Sequence, residues 1–291
     1  MKYQEYSIER EYKTIYFYLK EKGFSENYIK NLRKTWGNLL VNNEIVNISK
    51  QLQAGDLLKI NSSPNNKTDI QQCILPLEIV YEDDYYLLIN KPSGLTCMPN
   101  RSHYTNNLSG AIAYYMQNKE ENFVVRILNR LDKDTAGIII VAKDSISQKE
   151  IKDVNKIYYA ICQGIIDGPL VIDKPIKTIS VNGFNQHKRE ISPDGQAAKT
   201  FVTPLKLSKQ QNISLIKLEL EHGRTHQIRV HLSSIGHPLL GDELYGEKSE
   251  LISHTALVCK EISFFHPYLN KTLSFEIDFP DDYLFILGAL N

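Results

Sequence analysis

With 291 residues, 42% of them hydrophobic and 23% charged, the chain has room for one large core and a small satellite unit, and its composition excludes the disordered and membrane classes. Lysine plus arginine balances aspartate plus glutamate at 34 each, so no global field draws in a polyanion and any affinity for nucleic acid has to be local. The polar start from Met1 to Arg10 lacks the apolar core of a signal peptide, and no later run is long enough to cross a bilayer, which points to a cytoplasmic protein without membrane association.

In chain order, Thr14 to Lys22 reads as a helix closed by Gly23, and Ser25 is a good N-cap for a second helix with Tyr28, Ile29 and Leu32 on one face. Short strands follow at Leu39 to Val41, Ile45-Val46 and Leu57 to Ile60, with turns at Asn42-Asn43 and Gly55-Asp56. These predict a small helix-pair and strand module over residues 1–61. Its ten Lys/Arg exceed its seven Asp/Glu, a surplus that is more often a solvated face but has the right sign for RNA; Arg33 and Lys34, ending the second helix, are candidate RNA contacts. The run Ser62 to Asp69 is polar, turn-rich and aperiodic, so a linker is placed at 62–75 and the main domain at 76–291.

In the main domain, Ile79 to Tyr81, Tyr86 to Ile89, Phe123 to Leu128, Ile138 to Ala142 and Tyr158 to Cys162 read as strands. Two helices stand out: Leu108 to Gln117, and a segment from near Thr225 with Ile228, Leu232 and Ile235 at helical spacing, stopped by Gly236 and Pro238. The mixture predicts an α+β fold. Cys73, Cys97, Cys162 and Cys259 lie far apart without paired spacing, which predicts buried, reduced thiols and neither zinc site nor disulfide framework.

Two polar segments can carry chemistry. Asn129 to Gly137 is a loop pinned between apolar strands, where rigid neighbours hold functional groups in place. In Gly223 to His231, Thr225 can cap a helix whose first turns present His226 and Arg229 on one face, with Arg224 just before it, and no acidic residue occurs from His222 to Gly241. A carboxylate brought near that helix end and a guanidinium stays ionised, giving a dry anionic nucleophile. Taken alone, each piece has an ordinary reading: an Arg-x-Asp loop is commonly a hydrogen-bonded turn. His226 and His231 could ligate a metal, but five residues apart without a nearby carboxylate or cysteine they read rather as structural or RNA-contacting histidines. The chain has no metalloprotease motif, phosphate-cradling glycine loop or nucleophile elbow.

Asn129-Arg130-Leu131-Asp132, followed by Thr135-Ala136-Gly137 and the apolar strand to Lys143, resembles the catalytic segment of the RluA-type RNA pseudouridine synthases. Lys91-Pro92-Ser93-Gly94-Leu95, Lys156-Ile157-Tyr158-Tyr159-Ala160, Gly195 to Thr200, and Gly223 to Leu232 continuing to Gly241-Asp242 and Tyr245-Gly246 agree with further blocks of that family in the same order. Asn129 and Ala136 depart from the usual His and Ser, Thr96 to Pro99 lacks the common Val-His-Pro ending, and Lys143 to Lys156 looks shorter than the family's helix. Gly37, Val41-Asn42 and Gly55-Asp56 resemble the RNA-binding module shared with a small-subunit ribosomal protein.

The resemblance implies an α+β fold with a mixed, mainly antiparallel catalytic sheet and flanking helices, preceded by the small RNA-binding module. It implies isomerisation of uridine to pseudouridine after base flipping, with Asp132 as catalytic carboxylate and Arg229 as the basic partner holding it. Tyr158 would stack on the flipped base and help to move a proton, and Arg130 would fill the vacated place in the RNA or clamp a phosphate. Asp132 attack at the anomeric carbon, attack at the uracil ring and abstraction of a sugar proton all stay open. No metal, nucleotide or redox cofactor is required. The implied partner is RNA, large-subunit ribosomal RNA with transfer RNA as the alternative, acted on by a monomer. Two rival readings are a catalytically silent RNA-binding protein and a glycosidic-bond hydrolase, which would need a second acid better placed than Asp134.

Overall fold

A computed structural model describes residues 2–64, 70–99, 105–119, 124–180 and 187–288. Residues 65–69 of the expected linker and Phe123 of an expected strand lie outside the described residues.

The chain opens with β1 (Tyr3–Ser7), α1 (Ile15–Glu21), α2 (Glu26–Lys34), β2 (Leu39–Val41), β3 (Glu44–Ile45) and β4 (Leu57–Asn61). The four strands pair antiparallel in the order β1-β4-β2-β3. Both helices start where capping chemistry places them: Thr14 Oγ1 accepts from Phe17 N–H, and Ser25 Oγ from Tyr28 N–H. Asn42 and Asn43 turn the β2–β3 hairpin with φ of 52° and 70°, a conformation asparagine tolerates best after glycine. Ile15, Leu19, Ile29, Leu58 and Ile60 close the core between helices and sheet. Strand β1 escapes the sequence pattern because its residues are mostly polar: it is held by ladder bonds to β4, and Tyr6 alone packs against the core, edge-on to Tyr18 and Phe24.

The second unit contains β5 (Glu78–Glu82), β6 (Tyr86–Lys91), α3 (Leu108–Asn118), β7 (Arg126–Ile127), β8 (Ala136–Ala142), α4 (Ser145–Glu150), β9 (Lys152–Gln163), β10 (Leu170–Asp173), β11 (Ile176–Ser180) and β12 (His187–Ile191). It continues through β13 (Lys199–Ser208), β14 (Ile213–Leu220), α5 (Gln227–Ser233), β15 (Leu257–His266), β16 (Lys271–Glu276) and α6 (Asp281–Gly288). Among the described residues, ten of these strands form one sheet, ordered β10-β13-β14-β9-β15-β8-β6-β5, with β16 on β15 and β7 on β8. Among the described strands only the β15–β8 pairing is parallel, so the expected mixed, mainly antiparallel α+β architecture is the one observed. The β11–β12 hairpin stands as a separate two-stranded sheet.

The central strands are buried on both faces, which is why they read as unbroken apolar runs. In β8, Ile139 and Val141 enter one core and Ile138, Ile140 and Ala142 the other, and Leu87/Ile89 and Tyr86/Leu88 of β6 divide in the same way. On the first face lie Leu108, Ile112 and Met116 of α3 with Ile228 and Leu232 of α5; on the second, Tyr283 and Ile286 of α6. The short helix α4 stands where a shorter one was expected, and its Ile146 packs into the core of the N-terminal unit. Cys97, Cys162 and Cys259 are buried free thiols as expected, but Cys73 is only half-buried. Among the described residues no helix is long and apolar enough to cross a membrane.

Candidate active site

Asp132 lies in the loop between β7 and β8, which is anchored by the Asn129 side chain and by four successive carbonyls. The Asn129 side chain is buried and acts as a strand neighbour: its Nδ2 donates to Ile138 O at 2.9 Å, and Ile140 N–H donates to its Oδ1 at 2.7 Å. The carbonyls that follow are each engaged. Leu131 O accepts from Cys97 Sγ at 3.4 Å, Asp132 O from Thr135 N–H at 3.2 Å, Lys133 O from Lys91 Nζ at 3.0 Å, and Asp134 O from Ser93 Oγ at 2.8 Å. Lys91 is fully buried and also donates to Pro92 O and Leu95 O, both at 2.9 Å. Burial pushes its ammonium down to about 8, and three carbonyl acceptors hold the charged form at neutral pH. The segment 91–97 is thus the clamp that fixes the Asp132 loop.

The start of β8 explains the glycine after it. Gly137 has φ of 123°, and a Cβ there would lie 2.3 Å from Cys259 O, because β8 and β15 run side by side at Gly137 and Cys259. Close pairing at this point carries the Asp132 loop to the mouth of the sheet.

Across from the loop, α5 begins at His226, one residue later than the expected cap at Thr225. His226 has φ of 57° and makes no side-chain capping bond; the left-handed backbone instead turns its ring into the site. His226 Nε2 is 3.8 Å and Arg229 Nη1 3.9 Å from Asp132 Oδ2. The expected Arg229–Asp132 partnership is therefore secondary. The fork of Arg229 is occupied by Asp242, with Nε donating at 2.8 Å and Nη2 at 2.7 Å. Asp242 is fully buried and accepts further bonds from Leu244 and Tyr245 N–H groups, which makes it a saturated anchor. Burial opposes the Arg229 charge, but the Asp242 carboxylate more than offsets this and holds the guanidinium above its ordinary value. The side chain of Asp132 keeps 29% exposure, so the carboxylate opens to the cleft rather than being dry.

Tyr245 joins the pieces. Its hydroxyl accepts from Arg189 N–H at 2.8 Å and lies 3.0 Å from His226 Nδ1; the Arg229 guanidinium stands 5.2 Å from its ring centroid. With one lone pair taken by Arg189, the hydroxyl proton is free to point at Nδ1, which leaves the proton of a neutral His226 on Nε2, facing Asp132. Burial is the main cause that lowers the His226 pKa, against the attraction of Asp132, so the neutral ring is favoured.

The loop and helix enclose a cleft of about 950 Å³, lined by Arg130, Asp132, His226 and Arg229 among others, and an adjoining pocket of about 170 Å³ in which Tyr158 joins them. Tyr158 is buried on β9, and burial raises its phenol well above the ordinary range, so the ring is present as a neutral phenol and not as a phenolate base. Arg130 is exposed and lines both cavities; Arg224 is exposed, lines the smaller one and gives Nε to Ala197 O at 3.1 Å. Arg33 and Lys34 are exposed in the last turn of α2 and are not part of the cleft wall. Lys91, Asp242 and Tyr245 were visible in the sequence only as letters of the matched blocks. Their roles depend on contacts that the fold creates.

Residues 85–234 match the RNA pseudouridylate synthase family. A Bacillus subtilis protein described as the uncharacterized RNA pseudouridine synthase YhcT is 36% identical over 255 residues, 83% of this chain and 82% of that protein. The ribosomal large subunit pseudouridine synthases D of Zymomonas mobilis and Haemophilus influenzae are 37% and 31% identical, covering 72% and 91% of this chain and 71% and 87% of theirs. Among solved structures, human RNA pseudouridylate synthase domain containing 1 superposes with a TM-score of 0.58 at 25% identity, covering 74% of this chain and 87% of that one. The loop, helix and cleft described above fall within the matched residues or directly follow them, and the chain belongs to the RNA pseudouridylate synthase family, enzymes that isomerise uridine within RNA.

Proposed function

We propose that this enzyme acts on uridines of large-subunit ribosomal RNA, with Asp132 as its catalytic carboxylate. The observation that carries the assignment is that Asp132 is a partly exposed carboxylate at a cleft, faced by Arg229 and His226 at 3.8 to 3.9 Å and adjoining the Tyr158 pocket. The ribosomal substrate is supported by relatives named for it that align over most of their length. Isomerisation breaks the bond from ribose to uracil N1, rotates the base and rejoins it through carbon 5, so the base has to leave its stack and enter the cleft. Tyr158 offers a neutral ring for the flipped base, and its hydroxyl can relay a proton but not act as the base. Arg130, exposed at the mouth of both cavities, fills the place the base vacates or takes a phosphate.

The same reading divides the chain into an RNA-binding module at residues 1–61, a junction at 62–75 and the catalytic domain at 76–291, with Arg33, Lys34, Arg224 and His226 as RNA contacts. The reading takes the enzyme as a monomer, with His226, Arg229 and Tyr245 gathered at Asp132 within the one chain. Unpaired thiols suit a reducing, cytoplasmic compartment.

The test is pseudouridine mapping by carbodiimide modification and primer extension on ribosomal and transfer RNA from cells with the intact gene, a deletion or Asp132→Asn. Loss of the same large-subunit sites in both mutants is the expected result. Loss confined to transfer RNA would overturn the substrate, and survival of every site after Asp132→Asn with loss in the deletion would overturn the role of Asp132.

A further inference from the structure

The chain has no net charge, so the cations left without carboxylate partners have more bearing than their number. Some lysines are neutralised, Lys59 by Glu5, Lys20 by Glu26, and Lys199 by Asp173 and Glu221, while others, such as Lys133 in the cleft, have no carboxylate partner among the described residues. What sets the β11–β12 hairpin apart is where its cations stand and how Arg189 is held. Its Lys188 and Arg189 line the Asp132 cleft, and among the described residues neither pairs with a carboxylate. Arg189 also lines a neighbouring cavity of about 440 Å³ that includes Arg224, so the residue stands between two open spaces. Its Nε is shut off from solvent with no hydrogen-bond partner, a state that costs free energy unless a ligand supplies an acceptor.

The backbone at this position is fixed relative to the catalytic loop. Arg189 N–H donates to Tyr245 Oη at 2.8 Å, Tyr245 Oη meets His226 Nδ1 at 3.0 Å, and His226 Nε2 is 3.8 Å from Asp132. The Lys188 ammonium is held 5.5 Å from the Tyr245 ring centroid. Two cations are therefore presented three contacts away from the reacting carboxylate. Asp134 and Glu243 line the same cleft, so a diffuse field does not explain attraction of RNA here, and direct contacts are needed.

We propose that Lys188 and Arg189 form a phosphodiester-binding subsite that grips the RNA backbone beside the flipped nucleotide, with the Arg189 fork taking phosphate oxygens. The proposal rests on the RNA-modifying reading and deepens it: the hairpin would set where the strand lies while Asp132 acts on the sugar and base. Because a guanidinium fork matches a phosphate and an ammonium does not, Arg189→Lys should recover only part of the affinity.

The test is binding of an oligouridylate to the full-length protein, Arg189→Ala, Arg189→Lys and Lys188→Ala, measured over a range of salt concentrations. This probe has phosphates but no particular sequence, so the result does not depend on whether ribosomal RNA is the substrate; that question is read separately from pseudouridine mapping. Arg189→Ala is expected to weaken binding by about tenfold and to reduce the slope of log Kd against log salt by about 0.7, the value for one phosphate contact on a single strand. Lys188→Ala should reduce the slope by a similar amount. Among the described residues the Arg189 side chain has no hydrogen-bond or carboxylate partner to lose, so the melting temperature of its variants should not fall below that of the parent. Unchanged affinity and salt slope in both alanine variants would overturn the subsite, as would equal full recovery by Arg189→Lys together with a lowered melting temperature for Arg189→Ala, which would make the residue structural.

Discussion

Asp132 and Asp242 are both aspartates near Arg229, yet their surroundings give them opposite duties. Asp242 is fully buried, saturated by a bidentate guanidinium and two backbone N–H groups, while Asp132 is 29% exposed and meets the same arginine only at 3.9 Å. Removing Arg229 strands a buried carboxylate, so Arg229→Ala should cost about 3–5 kcal/mol in urea unfolding. Asp132→Asn should leave that midpoint close to the parent while abolishing pseudouridine formation; a large loss of stability for Asp132→Asn would make it structural. Tyr245→Phe removes the donor that fixes the His226 proton on Nε2. The expected effect is about a two- to tenfold fall in single-turnover rate, the size of one hydrogen bond, with little change in Kd. At this scale the sequence spoke through resemblance: Asp132, Tyr158 and Arg229 stand in matched blocks, and the structure brings them to one cleft. What it hid is the Asp242 fork, because thirteen residues of helix and turn separate the partners and only the fold brings them together.

At the scale of elements, α5 carries two histidines whose neutral forms are built into the structure. Burial is the leading cause that lowers His226 and His231; His231 is wedged between Thr200 Oγ1 at 2.9 Å and Lys174 O at 2.9 Å. Both folded pKa values lie below the unfolded 6.5, so below that pH the unfolded chain binds more protons than the native one. Stability is therefore full above about pH 6.5 and falls as the pH drops through the folded values. Urea midpoints at successive pH values from neutral toward 5 should show this loss, and His231→Asn should flatten part of it; a midpoint that rises on acidification would contradict the assignment. Some elements with periodic burial escape the sequence reading, β14 and β15 among them. The strands β6 and β8, the second half of β9 and the helix α3 were legible from their apolar runs, and the cap at Ser25 from residue type. Helix α4 was not, since six residues with Ile146 as their one core side chain carry no period, and α5 starts a residue late because His226 takes a left-handed turn that no propensity signals.

For the whole molecule, the two sheets are joined less loosely than the polar stretch after Asn61 implies. Ile146 of α4 is fully buried within the core formed by α1, α2 and the first sheet, although it belongs to the other unit in sequence. Around it, Asp144 caps α4 by accepting from Ile146 and Ser147 N–H groups, Ser145 N–H donates to Ser62 O at 3.1 Å, and Lys2 Nζ reaches Asp84 O at 2.6 Å. One apolar plug with polar contacts at its rim is a small joint, and its strength rests on the buried side chain. Truncation by Ile146→Ala should cost about 2–5 kcal/mol, because the core on either side cannot collapse into the space left. Ile146→Asp should do more, placing a carboxylate among Ile15, Leu19 and Ile29 with no partner. The consequence differs between the two units, and amide hydrogen exchange separates them. In the parent, β4 and β8 amides should exchange with similar opening free energies, as parts of one cooperative structure. In Ile146→Asp, β4 should open far more readily while β8 keeps its protection. Equal loss in both strands would mean that the units fold as one body and that the plug is only a part of a shared core, whereas no loss in either would mean that the contacts of Lys2, Ser62 and Ser145 hold the joint without it.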